Sequence, residues 1–385
     1  MVTSRFALLL VAAAVAVVGC SSKPKVREPT KLVEIKQPEI KLRQVWSRSA
    51  GNGSNTLYSG LRLALEPDAL YSASINGQVF ALQPATGATI WRALTKARII
   101  AGPTVSGDLV LVGTLDGDVI ALKRATGAEA WRATLPSEVL APLAASGDVI
   151  VARAADGRQF GLSASDGSRI WSFDRTIPNL TLRGLSKPLI LGNRVYTGLD
   201  NGKLVALNLA DGAPAWEQNV SVPTGRSELE RLTDIDADLL AADNGIYAVT
   251  YGNDIALLDP VRGESRWRRS IKSYSGMTST DKALYVTDND GVLWSLDPDT
   301  GAVVWKQESL KFRRLSPPGV LANYVIAADY KGYVHFFEPS DGRAVARVNL
   351  GGEPVISAPV SDGERVYLLD TTGDIAAYQI EAPKP

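Results

Sequence analysis

Ala81-Leu-Gln-Pro-Ala-Thr-Gly87-Ala-Thr-Ile-Trp91 returns 40 residues later as Ala121-Leu-Lys-Arg-Ala-Thr-Gly127-Ala-Glu-Ala-Trp131. Looser copies end at Trp171, Trp216, Trp267 and Trp305, so successive tryptophans stand 40, 40, 45, 51 and 38 residues apart. A period near 40 means one supersecondary unit copied along the chain, and the fold follows from what that unit can be.

The unit has a fixed internal grammar. In the second copy, Gly107-Asp108 precedes the apolar run Leu109-Val-Leu-Val112, and Leu115-Asp-Gly117 precedes Asp118-Val-Ile-Ala-Leu122. Thr126-Gly127 then leads to a third run ending at Trp131. Short apolar runs punctuated by Asp-Gly and Asn-Gly pairs are antiparallel strands joined by tight turns. No stretch after the N-terminal apolar run keeps a 3.6-residue period over ten positions, so the chain reads as all-β. Three clear strands and one in the variable spacer make a four-stranded sheet of about 40 residues. Such sheets arranged radially form a β-propeller, which leaves only short edges exposed.

Trp-type positions at 91, 131, 171, 216, 267, 305 and, by alignment, 346 count seven blades. An eighth hairpin, Glu364-Arg-Val-Tyr-Leu-Leu-Asp-Thr-Thr-Gly-Asp-Ile-Ala-Ala-Tyr378, ends before its Trp strand. At the other end Lys41-Leu-Arg-Gln-Val-Trp46 carries a Trp with no hairpin before it. The expected fold is therefore an eight-bladed β-propeller of four antiparallel strands per blade, with the N-terminal strand completing the last blade and closing the ring. The tryptophans are expected between neighbouring blades, each burying on the order of 200 Å². Phe336-Phe-Glu-Pro-Ser-Asp-Gly342-Arg-Ala-Val-Ala346 puts Ala where Trp belongs, so that interface should be repacked by Phe336 or Phe337.

Residues 1–19 have the layout of a secretory signal: a short basic start at Met1-Val-Thr-Ser-Arg5 and an apolar run from Phe6 to Val18 too short to span a membrane. The run ends Val17-Val-Gly-Cys20, and Cys20 is the only cysteine of 385 residues. Small residues before a lone Cys resemble the bacterial lipobox, which implies cleavage before Cys20 and its lipidation. By the same resemblance, Ser21 implies transfer to the outer membrane. Residues 20–40, rich in Lys, Pro and Glu, read as a solvated tether ahead of a propeller spanning 41–381. Twenty extended residues reach roughly 65 Å.

Composition excludes several chemistries. One cysteine leaves no disulfide and no thiolate metal site. The single histidine, His335, sits in the apolar run Tyr333-Val-His-Phe-Phe337 and reads as structural. Most aspartates flank hairpin glycines, where they serve turns, and Asp288-Asn-Asp-Gly291 lacks the remaining ligands of a calcium loop. Balanced charge, 41 basic against 41 acidic residues, argues against nucleic acid. The clusters Arg266-Trp-Arg-Arg269 and Lys311-Phe-Arg-Arg314 read as blade-surface charge. No catalytic residue, metal or cofactor is expected, and the chain reads as a binding platform.

Ser295-Leu-Asp-Pro-Asp-Thr-Gly301-Ala-Val-Val-Trp305 resembles the repeat of pyrroloquinoline-quinone dehydrogenases, which hold a quinone at the centre of eight blades. Their calcium site, catalytic acid and vicinal disulfide have no counterpart in the sequence. Over its whole length the chain resembles the BamB family, lipoproteins of the machine that inserts β-barrel proteins into the Gram-negative outer membrane. The signal, the short tether and eight repeats in under 400 residues carry that resemblance. So do two non-repetitive segments after the Trp171 and Trp216 strands, Ile177-Pro-Asn-Leu-Thr-Leu-Arg-Gly184 and Thr224-Gly-Arg-Ser-Glu-Leu-Glu-Arg-Leu-Thr-Asp-Ile-Asp236. The resemblance implies a monomeric subunit docking the periplasmic domains of the barrel subunit BamA. Leu180, Leu182 and Arg183 on the first segment, with Asp234 and Asp236 on the second, are then the contact residues. Two other readings of these loops and edges stay open: Arg183 could brace the loops against Asp234 or Asp236, and exposed blade edges could add strands of unfolded outer-membrane proteins. A quinone-dependent dehydrogenase and an unrelated periplasmic adaptor or sensor remain alternatives.

Overall fold

The computed structural model describes residues 27–381 except 176, 177, 179, 183 and 185; Cys20 and Arg183 therefore lie outside the described residues. Among the described residues there is no helix, and the strands form eight sheets. Blades 1 to 7 take residues 64–94, 99–134, 144–173, 189–219, 240–269, 276–307 and 319–349 in chain order. Within each, four antiparallel strands run from the innermost, the one that the spacer supplies, to the outermost, which bears the Trp in every one of these blades but the seventh.

Blade 8 takes its three inner strands from the C-terminus and its outer strand, Leu42–Ser49, from the N-terminus. Trp46 pairs with Ala377 there, so the ring is closed by joining the two ends of the chain. Blade 2 gains a short fifth strand, Gly60–Leu61, parallel to Ile99–Ser106.

The eleven-residue phrase is both a hairpin and a latch. Its first and last residues face each other across the outer strand pair, as in Ala81↔Trp91, Ala121↔Trp131 and Ser295↔Trp305. The indole then leans onto the glycine of the next blade's phrase. Trp267 Nε1 donates to Pro298 O at 3.0 Å, three residues before Gly301, and the other six repeat tryptophans, Trp46 included, do the same in their turn. These glycines have φ between 66 and 76°, and a Cβ on any of them would meet the indole at 2.4 to 2.7 Å. Glycine is required twice over, for the turn and for the ring lying on it.

Ala346 now has a physical reason. A Trp there would need the outer hairpin of blade 8, which the chain ends interrupt, so no Thr-Gly turn waits to receive it. Phe336 is the cross-strand partner of Ala346 and fully buried, reversing the small-to-large order of the other blades apart from blade 5, where Leu257 faces Trp267, so the expectation for Phe336 holds. Phe337 belongs to a different cluster with Trp305. The surprise is Ile40, from just before the first strand, which packs with Val345, Ala346 and Tyr378.

Other readings need correction or gain detail. Arg313 is not surface charge: it is 6% exposed and bonds Asp329 at 2.6 Å. His335 is buried, as a structural residue should be. Both Asp288 carboxylate oxygens are engaged within their own turn, by the N–H groups of Asp290 and Val292 and by Trp294 Nε1.

Candidate functional site

Connections between blades and the turns between middle strands share one face of the ring. Two of those connections, residues 174–188 between blades 3 and 4 and 220–239 between blades 4 and 5, are longer than a repeat needs. Their placement follows from a period-2 pattern in Asp234-Ile-Asp-Ala-Asp-Leu239. Leu232, Ile235, Ala237 and Leu239 go into the core, Ile235 pressing on Gly198 so closely that a Cβ there would meet it at 2.4 Å. The alternate residues Asp234, Asp236 and Asp238 are left for the neighbouring loop.

Asp234 is fully buried and accepts the Leu182 N–H at 2.5 Å. Asp238 accepts the Lys187 N–H at 2.8 Å. The two carboxylates thus hold residues 182–187 at both ends. Arg153 supports the loop from below: it is 3% exposed, ion-paired with Asp200, and donates to Ser186 Oγ at 3.3 Å. Gly184 lies against its guanidinium, where a Cβ would come within 2.5 Å. Held this way, the first loop presents Leu180 at 44% and Leu182 at 37% exposure. The second loop exposes Val222 and Leu229.

Asp236 lies between its two anchoring neighbours, and neither of its buried carboxylate oxygens has a hydrogen-bond partner. Burial, reinforced by the Asp234 charge, pushes its carboxyl up to about 8. Burial pushes Asp234 up to about 6, against the Leu182 N–H that favours its charge. Asp236 is therefore mostly protonated at neutral pH, while Asp234 is mostly charged. Burial opposes the charge on Asp238 too, but the Arg62 guanidinium and the Lys187 N–H outweigh it and hold that carboxyl below its ordinary range.

The sequence-chosen residues therefore divide. Leu180 and Leu182 are exposed, Asp234 is an internal brace, Asp236 is buried and unpartnered, and Arg183 falls outside the described residues. Sequence reading missed Asp238, although it continues the alternation of Asp234 and Asp236. It also missed Arg153, a charge closing the apolar strand Val149–Arg153, and the exposed Val222 and Leu229.

The centre of the ring on this face is crossed by protein. Arg62, just ahead of blade 1, forms an ion pair with Asp238, just ahead of blade 5. Blades 1 and 5 stand opposite each other in a ring of eight, so this pair bridges the central opening.

Comparison with known proteins agrees with this architecture. The profile of a family described as outer membrane protein assembly factor BamB matches residues 75–307 and 295–382. The outer membrane protein assembly factor BamB of Pseudomonas aeruginosa is 48% identical over 96% of this chain and 98% of its own length. That of Alkalilimnicola ehrlichii is 49% identical over 87% of this chain and 88% of its own. The crystal structure of BamB from Moraxella catarrhalis superposes with a TM-score of 0.81 at 28% identity, covering 88% of this chain and all of that one. A quinohemoprotein alcohol dehydrogenase from Comamonas testosteroni, at 14% identity and a TM-score of 0.71 over 89% of this chain and 77% of its own, shares the propeller fold alone. By profile, by identity over nearly its whole length and by fold, the chain belongs to the family of the outer membrane protein assembly factor BamB.

Proposed function

We propose that this chain is a non-catalytic scaffold of the outer-membrane β-barrel assembly machinery, anchored by lipid on Cys20 and facing the periplasm. It docks the periplasmic domains of BamA on the loop pair 178–188 and 222–238, as a single propeller subunit. The observation that carries this reading is the exposure of Leu180 and Leu182 on a loop that Asp234, Asp238 and Arg153 hold in place. A pre-ordered loop loses little conformational entropy on binding, so its apolar tips are efficient anchors. Asp234 supports docking from behind, by fixing Leu182.

The test is a mild-detergent pull-down of the tagged full chain with mass spectrometry of the retained proteins. BamA should be retained by the parent and lost from Leu182→Asp, with the melting temperature of that variant within a few degrees of the parent. Retention by Leu182→Asp moves the docking site elsewhere, and absence of BamA from the parent sinks the assignment.

A further inference from the structure

Residues 27–40, Arg-Glu-Pro-Thr-Lys-Leu-Val-Glu-Ile-Lys-Gln-Pro-Glu-Ile, have the composition of a free tether. They are nonetheless laid along the outer side of blade 7. The Thr30 N–H and hydroxyl both donate to Lys311 O at 3.0 Å, and the Glu39 N–H donates to Val345 O at 3.0 Å. Leu32 packs against the cluster of Trp305, Leu310 and Phe337, and Ile40 against Val345 and Ala346. At the far end Arg27 pairs with Asp290 at 2.6 Å and lies 5.4 Å over the Phe312 ring.

Two guanidiniums grip the segment's backbone. Arg347 Nη1 donates to Val33 O at 2.9 Å, and Arg313 Nη1 donates to Thr30 O at 3.1 Å. Both are aimed from a buried polar chain. Arg347 Nε donates to His335 Nδ1 at 3.0 Å, His335 Nε2 meets Asp329 Oδ2 at 3.1 Å, and Arg313 Nε donates to that same oxygen at 2.6 Å. A guanidinium only donates, so Nδ1 must be the acceptor and the imidazole neutral, with its proton on Nε2 toward Asp329. His335 and Asp329 are fully buried. A free tether would need no such arrangement.

We infer that blade 7 carries a docking site for the chain's own residues 27–40, and that this site turns the tether into a short leash. The leash rests on the lipid anchor of the proposed function; the docking does not. With residues 27–40 seated, seven steps from Cys20 to Arg27 are all the reach that remains, about 25 Å. The anchor then holds the blade 6 turn at Asp290 and the Phe312 loop to within that distance of the bilayer, where a free segment 20–40 would allow roughly 65 Å.

The test uses the full lipidated chain in phosphatidylethanolamine–phosphatidylglycerol vesicles. It reads hydrogen exchange over residues 28–36 and energy transfer from a dye at Lys272→Cys to a headgroup acceptor. The parent should protect residues 28–36 at least tenfold over a free peptide of the same sequence. Leu32→Asp, on the segment, and Arg347→Gln, on the blade, should each abolish that protection and lower the transfer. Leu32→Asp should also keep the parent's melting temperature. Protection no better than the free peptide overturns the docking. Loss of protection with unchanged transfer overturns the leash. A chain that does not join vesicles at all overturns the anchor, and the leash with it, while the exchange measurement still decides the docking.

Discussion

Replacing Asp236 by Asn should stabilise the protein, and more so as the pH rises. The Asp236 carboxyl is pushed from 3.8 to about 8 on folding, because its oxygens are buried, unpartnered and close to Asp234. A folded-state value above the unfolded one means that the native protein holds a proton which the unfolded chain releases. The stability that this group contributes is therefore full below pH 3.8 and lost as the pH rises toward 8. Some four pH units at 1.36 kcal/mol each set a ceiling of about 5 kcal/mol. Relaxation around the site brings the effect toward the roughly 1–3 kcal/mol typical of a buried unsatisfied polar group. Asn carries neither the charge nor the titration, so the variant avoids this loss. For a propeller of this size 1 kcal/mol moves the melting temperature by about 1.4 °C, from an unfolding entropy of about 2.1 cal/mol/K per residue. The variant-minus-parent difference, followed by tryptophan fluorescence at pH 5, 6.5 and 8, should climb by about 1.5–4 °C. Taking the difference cancels the titrating groups that do not interact with Asp236. A variant less stable than the parent by the same amount at all three pH values would show that Asp236 is ionised and paired, and the account of the site would be wrong.

Further outcomes follow from the inter-blade latch and from His335. Gly301→Ala forces a Cβ to within 2.6 Å of Trp267 at a φ of 66° and should cost about 3–5 kcal/mol, the scale of losing a well-packed aromatic; a melting temperature within 2 °C of the parent would contradict the latch. Ala346→Trp should destabilise by about 1–3 kcal/mol through overpacking on Phe336, and Phe336→Ala in the same chain should recover part of that loss, which a double-mutant cycle measures. Burial keeps His335 below its ordinary 6.5, despite Asp329 and with Arg347 and Arg313 adding to the effect; the Tyr333 ring also lies beside it. A depressed histidine contributes stability that is present above pH 6.5 and lost as the pH falls below it. The parent should therefore lose stability relative to His335→Gln between pH 7.5 and 5, and parallel curves would show that His335 is not held neutral.

The role of Asp234 illustrates how far a loop motif can be read. Its type and position pointed to the site, but the carboxylate serves the Leu182 backbone and does not itself reach solvent. The same holds for Arg313, a member of an apparently solvated basic run that lies beneath the N-terminal segment.

The architecture was determined by the sequence because the eleven-residue phrase contains its own instructions. Trp, the small residue opposite it and the Thr-Gly turn are neighbours in the chain, and each repeat needs from the next only a copy of itself. The lone Trp46 and the truncated hairpin at Tyr378 even specified how the ring closes. What tertiary structure alone decided are pairings between residues with no local reason to meet. Arg153 and Asp200 are 47 residues apart, Arg62 and Asp238 are 176 apart, and Arg347 and Val33 are 314 apart. A charge at a strand end looks solvated in sequence; whether it is buried depends on which distant carboxylate or carbonyl the closed ring brings to it. Ring closure places blade 1 opposite blade 5 and lays the N-terminal segment on blade 7, because joining the two termini in one blade leaves that edge without a hairpin to cover it.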